Sequence, residues 1–301
     1  MENPGVCNRG PEALEPSRVF DYCGIASLDD LDTPLWRSIF SHLETIQDEF
    51  IGVRPHVPDY PWPRNPLHNC TRVWEYPFIY HHLQAQTDGV PDSPLPSVVD
   101  LGSGATFFPF AVAQLGRRVI AVDADPRAKS SMDRAIGKVS SGIGSVTSLL
   151  SDARSIALDT ESVDSVYCIS VLEHIPDFER VISEAARILR PNGLFVLTFD
   201  LDLRGNFELG PAAYGRLMNT LQVHFSPVYS EKIVHPLRIL NSDNSIYPMY
   251  PNKSSSYLLL QPLKRVVRSA YNKLHGRPEL QGRLLVSTYG ACLRKPMSRA
   301  E

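Results

Sequence analysis

Asp100, Gly102 and Gly104 stand at the end of one apolar run, Val98 to Leu101, and Asp123 stands at the end of the next, Val119 to Val122. Glycines carry no side chain, so the backbone beside them can approach a ligand closely. A carboxylate about 20 residues further on is placed to accept from both hydroxyls of a ribose. These residues predict a strand, a glycine turn, a helix and a second strand holding an adenosine-containing ligand. A dinucleotide fingerprint wants a third glycine for close helix–strand packing under a pyrophosphate. Phe107 occupies that position, which ranks an NAD-dependent oxidoreductase third among the readings. By itself, Gly-x-Gly after a strand is also an ordinary structural turn.

The elements that must position these groups follow in order. Ser145 to Leu150 reads as a third strand and runs into Ser151-Asp152-Ala153, where Asp152 can cap the turn that follows. Val163 to Ser170 is a fourth strand and ends at Val171-Leu172-Glu173-His174. A helix over 177–190 carries Phe178, Val181, Ile182, Ala185, Ile188 and Leu189 on one face and stops at Pro191-Asn192-Gly193. Leu194 to Asp200 is the fifth strand. Strands near 97–101, 118–123, 146–150, 164–169 and 194–199 are nearly continuous apolar runs, as a parallel sheet covered on both faces requires. Helices at 106–115, 126–136 and 177–190 separate them, which implies βαβ crossovers and a doubly wound α/β fold. Ligands bind such sheets beyond the carboxyl ends of the strands, where Gly102, Asp123, Asp152, Glu173, His174 and Asp200 all fall.

This ordered set resembles the class I S-adenosylmethionine-dependent methyltransferase superfamily, in its small-molecule, type 11-like branch. Asp100-x-Gly102-x-Gly104 is similar to the family's E/D-x-G-x-G-x-G, with Thr106 at the last glycine, and Val171-Leu172-Glu173-His174 is similar to its fourth motif. The match extends over about a hundred residues. It implies a mostly parallel, seven-stranded, Rossmann-like methyltransferase fold and S-adenosylmethionine as cofactor. Asp123 would then take the ribose, Asp152 the adenine amino group, and the Ala153 N–H a ring nitrogen. Asp100, Gly102, Ser103, Gly104, Ala124 and Glu173 complete the implied cofactor set.

Methyl transfer from a sulfonium requires an aligned nucleophile and, for a hydroxyl, removal of a proton. His174 suits that base role because imidazole titrates near neutral pH, and the resemblance puts the fourth strand's end facing the methyl. Asp200, Asp202 and Glu75 are the other candidates. No metal is expected, since Asp200 and Asp202 are too few for a carboxylate site. Ser170-Val171-Leu172-Glu173 replaces the motif of amino-methylating nucleic-acid enzymes, and Cys168 lacks the preceding proline of a cytosine-C5 nucleophile. A small-molecule, sugar or polyketide-like acceptor is left, methylated at oxygen. The alternative is a non-catalytic binding or partner protein on the same fold, which Thr106 in the glycine loop keeps open.

The chain has 301 residues, with 30 Lys and Arg against 33 Asp and Glu, so its net charge of −3 gives no bulk attraction to nucleic acid. Its five cysteines are scattered, without a C-x-x-C pair, and predict neither a zinc site nor a disulfide framework. No run approaches the ~20 apolar residues of a membrane span, and the N-terminus lacks a signal-peptide core. A cytoplasmic protein without stable membrane insertion is expected. Residues 1–33 read as irregular and partly disordered, 34–95 as a helical and proline-rich cap, 96–210 as the cofactor-binding core, and 211–301 as a substrate-side insertion with the closing strand. Within the cap, Trp36 to Phe50 reads as a helix stopped by Gly52, and Thr71 to Gln84 as a helix bent at Pro77. Arg72, Trp74, Glu75 and Tyr76 are candidates to face the methionine moiety or the substrate, against a bland reading with Trp74 and Phe78 in the core. Residues 54–66 read as polyproline-like surface chain. Leu263 to Leu274 forms a helical apolar stripe with basic residues mostly off it, and 283–293 reads as the last strand.

Overall fold

Neighbouring residues of the core strands pack on opposite faces, which is why the runs are apolar throughout. The computed structural model describes residues 19–53, 65–85, 95–204, 209–249 and 284–297. In chain order the strands are β1 Gly24–Ile25, β2 Ser97–Leu101, β3 Arg118–Asp123, β4 Ser145–Leu150, β5 Val163–Ile169, β6 Leu189–Asp202, β7 Ser226–Pro227 and β8 Val286–Arg294. The α-helices are α1 Pro34–Val53, α2 Arg72–Gln84, α3 Phe108–Gln114, α4 Pro126–Ala135, α5 Phe178–Ile188 and α6 Pro211–His224. Val98 joins the apolar layer under α1 to α4, whereas Val99 joins the layer under α5 and α6. Likewise Tyr167 and Val196 face the first layer, and Cys168 and Leu197 the second.

The strand order is β4-β3-β2-β5-β6-β8-β1, with β7 also on β8. Pairs from β4 to β6 are parallel, and β8 runs antiparallel to β6. The chain adds β3 and β4 on one side of β2, then crosses to add β5 and β6 on the other. That reversal opens the crevice at the carboxyl end of β2 where such sheets take ligands. The described residues form eight strands rather than seven: six longer ones, and β1 and β7, two residues each, which both lie against β8.

Several boundaries differ from expectation. Residues 19–33 are anchored rather than irregular: Phe20 is fully buried, and buried Asp30 accepts from Tyr22 and, at 2.8 Å, from Trp74 Nε1. A polar sequence hid this, because the anchors are isolated residues with partners far along the chain. α1 runs through Gly52, which keeps a negative φ and so does not end the helix. Pro191-Asn192-Gly193 lies within β6 as an irregularity beside Val163, with Asn192 at φ +67°. Residues 54–64 of the proline-rich stretch and the Leu263–Leu274 stripe fall outside the described residues. No helix among the described residues is long and apolar enough to cross a membrane.

Trp74 and Phe78 of α2 stack at 4.5 Å between ring centroids and lie on Gly290 of β8. A Cβ at Gly290 would stand 2.6 Å from one Trp74 ring carbon and 2.9 Å from another. Gly290→Ala is therefore expected to cost about 1–3 kcal/mol by overpacking. Urea unfolding followed by circular dichroism checks this, and an unchanged midpoint would show that the indole can move aside.

Candidate functional site

The glycine turn after β2 is fixed from two directions. Gly102 has φ +71°, and a Cβ there would come 2.5 Å from a Val171 methyl, so only glycine lets the loop after β5 close against it. Gly104, at φ +56°, donates its N–H to Asp123 Oδ2 at 2.8 Å, while Asp125 N–H donates to Asp123 Oδ1 at 2.7 Å. Asp123 thus joins the ends of β2 and β3. Ser103 is buried in the same turn and Ala124 is exposed beside Asp123. Asp100 is buried beneath them; burial pushes its carboxyl well above the usual range, the Asp123 charge adds to that, and the Tyr167 hydroxyl opposes it.

At the next strand end, Asp152 is exposed and held by its neighbour. Its Oδ1 accepts from the Arg154 N–H and Nε, both at 2.9 Å, which caps the turn. Hydrogen bonds from Arg154 lower its pKa to about 2, so it is ionised at neutral pH. Arg154 also spans to Asp177 at 3.1 Å, tying this loop to the start of α5. Ala153 is half-buried between them.

Beside the turn, α2 and the ends of β5, β6 and β8 enclose a cluster of charges. Glu75 is fully buried; it binds Arg72, accepts from Ser170 Oγ at 2.5 Å and from Thr288 Oγ1 at 3.0 Å. Arg72 also binds Ser170, whose φ of +46° is held by this network and by its N–H bond to Thr198 O at 3.0 Å. Glu173, 5% exposed, accepts the Asp200 N–H at 3.0 Å on Oε1. Its Oε2 and Asp200 Oδ1 are buried without a hydrogen-bond partner. Burial, then the Asp200 charge, pushes the Glu173 carboxyl well above the usual range. Burial, then the Glu75 charge, pushes Asp200 up to about 7, with Arg72 opposing. Burial is the largest influence on Glu75 and works to raise it, but Arg72 together with hydrogen bonds from Ser170 and Thr198 makes the net shift downward. One guanidinium therefore serves three carboxyl groups, and it pairs directly with Glu75.

The candidate residues so separate into groups. Glu75, Glu173 and Asp200 come together with Arg72. His174 is exposed on the 3-10 turn Leu172–His174 next to Glu173. Asp202 accepts the Leu285 N–H at 2.9 Å and the Arg204 N–H at 3.1 Å, which holds the strand end. Trp74 and Tyr76 are buried, Tyr76 against Phe107 and Phe108. Sequence reasoning missed Thr288 and gave Ser170 no role, since a hydroxyl on a distant strand carries no local signal. Burial raises Cys168 well above the ordinary thiol range and Cys70 to about 12, so neither supplies a thiolate.

Residues 99–197 match the family model described as a methyltransferase domain. They span β2 to β6 and contain the glycine turn, Asp123 and Glu173. Over these residues, about a third of the chain, the protein resembles the class I S-adenosylmethionine-dependent methyltransferases. A ubiquinone biosynthesis O-methyltransferase of Cupriavidus pinatubonensis is 30% identical over 118 residues, 39% of this chain and 47% of the relative. An uncharacterized methyltransferase of Mycobacterium sp. strain JLS is 32% identical over 133 residues, 44% of this chain and 49% of the other. The chain thus spans about half the length of the curated relatives it matches. The crystal structure of YcgJ from Bacillus subtilis, 15% identical, covers 72% of this chain and all of its own, with a TM-score of 0.47. The sheet itself, parallel from β4 to β6 with β8 antiparallel beside β6, is Rossmann-like.

Proposed function

We propose that this protein transfers a methyl group from S-adenosylmethionine to a hydroxyl of a small molecule. The observation that carries the reading is the meeting, at the carboxyl edge of the sheet, of a glycine cradle and a buried carboxyl pair with unpartnered oxygens. Gly102, where a Cβ would clash, and the Gly104 N–H aimed at Asp123 form a turn suited to a nucleoside. Asp123 would hold the ribose; Asp152 and Ala153 would flank the adenine; Asp100, Ser103, Gly104, Ala124 and Glu173 would border the remainder. Bound there, the cofactor supplies a methyl group already activated by its sulfonium.

The chain's own task is to align the acceptor and take its proton. Asp200 suits this better than His174, because Asp200 Oδ1 is buried and unpartnered and the carboxyl titrates near neutrality. Glu173, whose carboxyl is pushed up by burial and the Asp200 charge, lies beside it and accepts the Asp200 N–H. Oxygen as the methylated atom is supported by this proton acceptor and by the O-methyltransferase name of relatives matched at about half their length. The acceptor is a small molecule in this reading, and its identity is open to a screen with labelled cofactor.

Titration calorimetry with S-adenosylmethionine and S-adenosylhomocysteine tests the proposal together with a turnover assay. Asp123→Ala is expected to weaken cofactor binding at least about tenfold, because charge-assisted hydrogen bonds are worth about 1.5–3 kcal/mol. Unchanged affinity in a folded variant would remove Asp123 from the cofactor site. Binding without turnover on any acceptor would favour a non-catalytic partner protein.

A further inference from the structure

Away from the sheet's carboxyl edge, the last turn of α2 carries adjacent histidines that the methyl-transfer reading does not use. His81 Nε2 lies 3.0 Å from Asp21 Oδ1, although the residues are 60 positions apart. His82 is 2% exposed, and its Nε2 is buried without a hydrogen-bond partner. One ligand atom from each of Asp21, His81 and His82 lies within 4.8 Å of the others.

We propose that Asp21, His81 and His82 form a divalent transition-metal site, with Zn2+ the ion that suits the donors best. Two imidazoles and one carboxylate are a common zinc donor set, and three protein ligands leave a fourth position for water. The backbone prepares the site. Phe20 has φ +69°, a costly conformation for a buried aromatic residue. Its carbonyl accepts from His82, and because Nε2 is the nitrogen without a partner, that bond falls on Nδ1. A carbonyl fixing one ring nitrogen so that the other presents its lone pair is the usual support of a metal-binding histidine. The residue after Phe20 is Asp21, so one strained segment supplies both the carboxylate and the tautomer lock. Asp21 and His81 are partly exposed, with 27% and 19% of their side chains open, which gives an ion a way in. The scattered cysteines gave no indication of such a site, because its ligands contain no sulfur and join distant segments. A bound ion would clamp the N-terminal segment, which pairs with β8 through β1, onto α2.

The test uses the full chain, stripped with a chelator and dialysed against Zn2+ at neutral pH. One Zn2+ per chain and a raised melting temperature are expected. Asp21→Asn, His81→Gln and His82→Gln are each expected to weaken binding at least about tenfold, with circular dichroism checking the fold. Asp21 and His81 are partly exposed, so their variants decide the matter even where His82→Gln fails to fold. Co2+ substitution is expected to give visible d–d bands without a thiolate charge-transfer band. Absence of stoichiometric binding, binding indifferent to Asp21→Asn and His81→Gln, or a thiolate band would overturn the proposal. None of these readouts depends on methyl transfer or on cofactor binding.

Discussion

Glu75→Ala is expected to lower the unfolding free energy by about 3–5 kcal/mol, the size associated with breaking a buried ion pair from one side. Glu75 is fully buried and is the direct ionic partner of Arg72, while Ser170 and Thr288 donate to its Oε1. Its removal leaves a guanidinium with 14% side-chain exposure without its direct partner and the Ser170 hydroxyl without its 2.5 Å acceptor, while Thr288 keeps the Phe199 carbonyl at 3.2 Å. Arg72 still faces Asp200 and Glu173, so its proton stays; what is lost is the close, bidirectional network joining α2 to β5 and β8. Glu75→Gln keeps the shape and an acceptor oxygen, and is expected to cost less than the alanine variant. Guanidinium unfolding at neutral pH measures both. The sign with pH follows from the lowered pKa of Glu75: its contribution is present above the unfolded carboxyl value and fades as pH falls through the folded one. The gap between wild type and Glu75→Gln should therefore narrow in acid. A loss below about 1 kcal/mol for Glu75→Ala would mean that Asp200 takes over as the counter-ion.

The parts of this fold that were legible in the sequence are those fixed by local pattern. Val98-Val99 and Phe195-Val196-Leu197 read as buried strands because neighbouring side chains enter two apolar layers. Asp125-Pro126 marked the start of α4, and the structure gives Asp125 as its cap, accepting the Arg127 N–H at 2.8 Å. What pattern cannot carry is pairing over distance. Tyr22, Trp74 and Lys232 converge on Asp30 from three segments, and none of their neighbourhoods announces it. The same holds at the candidate site. Glycine spacing marked Gly102 and Gly104 because backbone conformation is local. The association of Glu75 with Thr288, 213 positions away, exists only once α2 lies across β8. Gly52 and Pro191-Asn192-Gly193 misled for the opposite reason: local breaker signals were overridden, by helix continuation in one case and by strand pairing in the other.

Asp200→Asn is expected to lower turnover by about 10²–10⁴-fold, the usual size of a lost proton acceptor, with cofactor affinity little changed. The amide keeps the volume and leaves the backbone N–H that Glu173 accepts. In the wild type the rate should rise with pH through about 7, as the carboxyl pushed up by burial and by the Glu75 charge loses its proton. Because Glu173 and Asp200 interact, that limb reports the pair and not one residue alone. Glu75→Gln removes one of the charges that raises Asp200, so the acid limb should move to lower pH. His174→Ala separates the two candidate bases: with Asp200 as acceptor, this variant should lose less than about tenfold and keep the acid limb. The opposite pattern, a large loss in His174→Ala and a small one in Asp200→Asn, would transfer the role to the exposed imidazole. If both variants retain near-normal rates and the limb persists, neither side chain takes the proton. Alignment of an already ionised acceptor would then carry the reaction, and the limb would belong to the acceptor itself.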